Sequence, residues 1–122
     1  MRLAVAYLWL QAVLVAAWWL ALWLWPALRP PFTIGDWPPS TLFAFALPDL
    51  VAIVGGSALA AHALPRRRAW ARPLLWSVAG AVSYATLWCG GALLATGSGW
   101  LSLALMLGST AGTAWALGAS RA

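Results

Sequence analysis

The chain has 122 residues, 64% of them hydrophobic and only 7% charged, with a formal net charge of +5. Soluble domains carry about 25% charged residues, so this composition excludes a surface made for water and points to a membrane. All the basic residues are arginines, and the cluster Arg66, Arg67, Arg68 and Arg72 lies in one short loop, which reads as a topology signal rather than a nucleic-acid-binding face.

A membrane-crossing helix needs roughly 20 apolar residues, and the sequence offers four such stretches with no room for a separate soluble domain. It reads as an all-α integral membrane protein, a four-transmembrane-helix antiparallel bundle. The expected helices cover about residues 3–25, 42–64, 72–95 and 99–118.

The first stretch opens Met-Arg, as a signal peptide does. It is too long for one, and no small-x-small cleavage site follows Trp25, so it is read as an anchor. Gln11 is the only polar residue within it. Residues 26–41, PALRPPFTIGDWPPST, are rich in proline, which fixes φ and lacks a donor. They are expected to form an extended extracytoplasmic surface loop.

In the second stretch Asp49 follows Pro48 inside an apolar run. Ala52, Gly56, Ala60 and Ala63 share its face at helical spacing, a strip of small side chains that lets helices approach closely. Two readings stay open. Asp49 is either a buried working acid facing another helix, or a first-turn residue of a helix that begins at Pro48, where an acid complements the helix dipole. His62 lies one turn before the arginine loop and is expected to reach the interface or that loop.

The third stretch places Ser77, Gly80, Ala81, Tyr84, Trp88 and Gly91 on one face. Tyr84 falls near mid-membrane, so its hydroxyl is a candidate donor to Asp49, and Trp88 lies at the same level. In the fourth stretch Ala104, Gly108, Gly112 and Ala116 form a small-residue stripe containing a GxxxG. With Gly56, these glycines are the expected helix-packing positions. Ser109, Thr110 and Thr113 can bond across helices or back to their own carbonyls.

Four spans put both termini and the arginine turn on one side, with Arg2, Arg66, Arg67, Arg68, Arg72 and Arg121. Only Arg29 falls on the other. The positive-inside rule makes the arginine-rich side cytoplasmic. The same cluster could hold anionic lipid head groups, although a topology determinant needs no such role. The 11 tryptophans mostly suit interfaces: Trp23, Trp25 and Trp37 on one side, Trp70 and Trp76 on the other. Trp18, Trp19 and Trp88 lie deeper, where they would pack against a neighbouring subunit or a flat apolar ligand.

A single cysteine, Cys89, and a single histidine exclude an intramolecular disulfide, a Cys-based metal site and a His cluster. No HExxH, P-loop, GxGxxG or GxSxG occurs. No catalytic residues, cofactor or metal are therefore assigned, and the enzyme question leans to no. The leading expectation is a non-enzymatic accessory or assembly subunit of a larger membrane complex. Its partners would be membrane lipids and a protein partner or second copy, met through the small-residue faces, with no nucleic acid. The alternatives are an oligomeric small transporter or channel using Asp49, and an intramembrane enzyme or binding protein for lipid-like substrates. An alanine- and arginine-rich, lysine-free composition suggests a GC-rich coding sequence and a bacterial cytoplasmic (inner) membrane.

Overall fold

The computed structural model describes residues 1–121, all in helices, turns and loops. Four helices among them are long and apolar enough to cross a membrane: α1 (Arg2–Leu24), α2 (Ser40–Ala63), α3 (Ala71–Thr96) and α4 (Trp100–Ala119). Each buries a narrow stripe and leaves large apolar side chains such as Leu3, Trp23, Leu87 and Leu94 exposed. That inside-out distribution suits a helix whose outer face meets lipid rather than water.

Short connections decide which helices are neighbours. Between α3 and α4 the chain turns through Gly97 (φ +70°) and Gly99 (φ +89°), left-handed conformations that cost glycine nothing. Between α2 and α3 the Arg68 amide bonds back to the Ala63 carbonyl and the Arg67 amide to the Leu64 carbonyl, the paired bonds of a Schellman cap. Its left-handed position is taken by Arg67 (φ +51°) instead of the usual glycine.

Residues 26–39 differ from the expected extended loop. Pro26–Leu28 and Pro30–Phe32 form 3₁₀ turns, because proline at the first position of a turn supplies the required φ and loses no needed donor. The segment folds back over the helix ends, tied down by the Gly35 amide donating to the Ser98 hydroxyl (2.6 Å). Arg29 donates to the last-turn carbonyls of α1, Leu22 (2.7 Å) and Trp23 (2.9 Å).

α2 is irregular along half its length. Ser40–Phe43 and Ala46–Pro48 are α-helical, Asp49–Gly55 is a π-helix, and Gly56–Ala63 returns to α. Pro48 cannot donate to Ala44, and its ring crowds that carbonyl; the Gly55–Gly56 pair at the far end resists the distortion least. Short helical turns precede Pro48, and the stretch Ser40–Ala63 taken together is long and apolar enough to cross a membrane. The widened turns also carry Ile53 and Ser57 inward, where both are buried.

The buried residues fall into two clusters. At the end that carries the arginine turn, Ala60, Ala61, Ala63 and Ala71 pack with Leu8, Leu75 and Leu117. Towards the loop end, Val15, Trp19, Leu22, Ile53, Val82 and Met106 form the second, with Phe32, Phe43, Phe45 and Cys89 against it. The buried stripe of α3 is Ala71, Leu75, Val78, Val82 and Thr86. The face expected from its small and polar residues points the other way: Ser77, Gly80, Tyr84 and Gly91 are exposed. Burial on α3 follows one helical stripe spaced by three and four residues, whereas leucines off that stripe, Leu87 and Leu94, are exposed.

Candidate functional site

A cavity of about 300 Å³ lies within the loop-end half. Its walls come from every part of the chain: Trp18 and Trp19 of α1, Phe32 and Ile34 of the folded loop, Phe45, Asp49 and Ile53 of α2, Tyr84, Trp88 and Cys89 of α3, and Ser102 and Met106 of α4. Aromatic rings hold one another in place around it. Phe45 and Trp88 lie 4.4 Å apart between centroids, Trp18 and Trp19 4.9 Å, and Trp18 and Phe32 5.2 Å, separations typical of tilted and edge-to-face pairs. The most exposed wall residues are Pro48 on α2 and Tyr84 on α3, the latter at 72%. The opening therefore faces sideways between these two helices, towards the surface that would meet lipid.

Asp49 is the one acidic residue of this wall. Its Oδ2 accepts a hydrogen bond from the Trp19 indole N–H at 3.0 Å. Oδ1 has no hydrogen-bonding partner among the described residues. Asp49 thus faces a neighbouring helix, but the donor is Trp19 and not Tyr84, whose hydroxyl makes no hydrogen bond to it. Tyr84 is displaced because its face of α3 turns outward. The clue in the sequence was the depth of Trp19, which sets it apart from the interfacial tryptophans. A second indole nearby is incomplete: Trp18 Nε1 is buried without an acceptor.

Arg29, the nearest arginine in sequence to this half, is committed elsewhere. Besides its two carbonyl bonds, its guanidinium sits 4.8 Å from the Phe43 ring centroid. It donates nothing to Asp49.

On the other side of the Trp18–Met106 wall a shallower groove of about 260 Å³ runs between α1 and α4, past Leu10, Leu14, Leu105 and Gly108. Below it, a buried polar network joins three helices. Gln11 donates to the Ser57 hydroxyl (3.0 Å) and accepts from Thr113 (3.1 Å) and Tyr7 (2.5 Å), while Tyr7 also reaches the Ser109 carbonyl (3.1 Å). Thr86 and Thr110 join α3 to α4 at 2.7 Å. Gln11 therefore makes three side-chain hydrogen bonds; its role went unread in the sequence because its partners lie on other helices.

The three glycines separate. A Cβ on Gly56 would fall 2.6 Å from a Val78 methyl, and one on Gly112 2.3 Å from the Tyr7 ring; one on Gly108 meets nothing within 4 Å. Gly56 and Gly112 are close approaches inside the chain, whereas Gly108 faces out. Arg66, Arg67, Arg68 and Arg72 are all exposed at the α2–α3 turn, away from the cavity, and Arg66 donates to the His62 carbonyl (2.8 Å). No group of three or more potential metal ligands occurs among the described residues. No protein-family model, curated protein or solved structure matches the chain.

Proposed function

We propose that the protein is a four-helix antiparallel bundle of a bacterial inner membrane, both termini cytoplasmic, which draws an amphipathic small molecule from the bilayer into the loop-end cavity and holds it there by Asp49. The observation that carries this reading is the free Oδ1 of Asp49 at the wall of an otherwise aromatic and aliphatic cavity of about 300 Å³. Small-molecule sites are mostly apolar, begin at about this size, and orient their ligands with a few polar groups. An acid within a membrane span is costly to keep and is a functional candidate for that reason. Support for the orientation comes from the arginines, which gather at the end holding the termini. The reading stops at binding. Tyr84 and Cys89 line the cavity without bonding to Asp49, and a catalysed reaction would need a second positioned group.

The test uses protein labelled with 5-fluorotryptophan in lipid bilayers and the small lipophilic nitroxide TEMPO. Nitroxide broadening falls steeply with distance, so a radical inside the cavity, against the Trp19 ring, broadens the Trp19 fluorine signal far more than one held in the surrounding lipid. Broadening in the native chain and its suppression by Ala52→Leu, which fills the wall, are expected. A Trp19 signal equally sharp in both would contradict access from the bilayer.

A second reading, the accessory subunit of a larger complex, is favoured by the small, open positions Gly80 and Gly91 on α3 and Ala104 and Gly108 on α4, the last beside the α1–α4 groove. Gly56 and Gly112, by contrast, are covered internally by Val78 and Tyr7.

A further inference from the structure

We infer that the cavity selects a lipophilic cation, a compact apolar body bearing one ammonium group that meets Asp49 Oδ1. This rests on the cavity being a binding site and names the ligand's class. The inference starts from an imbalance of charge. Asp49 lies within the stretch Ser40–Ala63, and among the described residues the only hydrogen bond to its carboxyl comes from a neutral indole. No arginine compensates it: the guanidinium of Arg29 is held by the Leu22 and Trp23 carbonyls and the Phe43 ring, and Arg66, Arg67, Arg68 and Arg72 lie at the opposite end. A carboxylate in an apolar setting is tolerated when a positive charge meets it. The chain does not bring one, so Asp49 either takes up a proton or meets a cationic ligand, and the ligand is the partner that the adjoining cavity has room to admit.

The walls make the same demand by a separate route. Trp18, Trp19, Phe32, Phe45, Tyr84 and Trp88 all border the space, and the negative faces of aromatic rings attract ammonium groups, most strongly where water is excluded. An anion would meet the carboxylate and the ring faces as repulsion. A neutral hydrocarbon would gain only the apolar contact, leaving Asp49 as it was. Entry from the side between α2 and α3 further suits a molecule that partitions into the bilayer first. The modest volume sets the upper limit on its body.

The test compares benzyltrimethylammonium with its uncharged carbon isostere, neopentylbenzene, which has the same shape. Binding is read from the 5-fluorotryptophan resonances of Trp18, Trp19 and Trp88 in the native chain, with Trp76 and Trp115 as remote controls. The cation is expected to bind roughly tenfold or more tightly than the isostere, and Asp49→Asn is expected to abolish the difference while the isostere still binds. Retained isostere binding also shows that the variant is folded, since the asparagine carbonyl can still accept from Trp19. Equal affinity of the two probes in the native chain would overturn the cation inference and leave the binding site standing. A preference that survives Asp49→Asn would overturn the assignment to Asp49. Saturating shifts from neither probe would remove both the cation inference and the binding site it rests on.

Discussion

Alanine fills the arginine end and aromatic rings fill the loop end, and the end with the smaller side chains is the tighter one. Ala4, Ala60, Ala63 and Leu75 are fully buried there, because a methyl group lets two helix backbones approach until the whole facing surface is covered. At the other end Trp19, Phe43, Phe45 and Trp88 are large rigid plates, and α2 is widened by its π-helical stretch just where they gather. Such plates touch at edges and leave space between them. The comparison separates two uses of apolar residues: one end holds the helices together, and the other surrounds a volume. A π-helical segment bordering a cavity fits the general tendency of such segments to mark functional sites.

Substitutions of the same kind at both ends sharpen this contrast. Ala60→Leu is expected to destabilise the protein by about 3 kcal/mol, the upper range of overpacking. Ala52→Leu, the same change at the cavity wall, should stay within about 0.5 kcal/mol of the native chain. Reversible unfolding in mixed micelles measures both, and equal costs would break the comparison. The glycines give a second pair. Gly112→Leu drives a side chain into the Tyr7 ring and should cost about 2 kcal/mol, whereas Gly108→Leu, with open space before it, should change stability by less than about 0.5 kcal/mol. A large loss at Gly108, or concentration dependence of that loss, would instead place a partner on that face.

Gln11→Leu keeps the volume and removes the hub of the polar network, leaving Ser57 and Thr113 without their partner. A loss of about 1.5 kcal/mol is expected, with the 5-fluorotryptophan signals of the cavity unmoved, because the network lies outside it. One further substitution has an effect of opposite sign. Arg67→Gly relieves the left-handed strain at the α2–α3 turn and should stabilise the chain by about 1 kcal/mol.

Four membrane-length helices were legible in the sequence because twenty-residue apolar runs broken by proline and glycine leave few alternatives. Asp49, too, stood out as an acid in an apolar run. What surrounds it was not legible. Helical periodicity assumes a constant turn of about 100° per residue; the strip it put on Asp49's face is buried at Gly56, Ala60 and Ala63, but the π-helical stretch from Asp49 to Gly55 departs from that turn and hides which neighbour Asp49 meets. On α3 the small and polar residues suggested an inward face, yet Val78 and Val82 are the buried ones, since in lipid both faces are apolar and hydrophobicity no longer tells inside from outside. Trp19 and Gln11 were visible as residues, but their partners are 30 and 46 positions away in the chain. The proline-rich segment read as extended because proline breaks α-helix; its 3₁₀ turns need the same φ and bring Phe32 over the cavity.

Native mass spectrometry of the protein, extracted gently from its own membrane, tests the central claim most directly. The native chain is expected to carry one retained small molecule, absent from the Ala52→Leu variant purified in the same way. A bare chain, an adduct indifferent to Ala52→Leu, or a stable assembly with other proteins and no small molecule would contradict it.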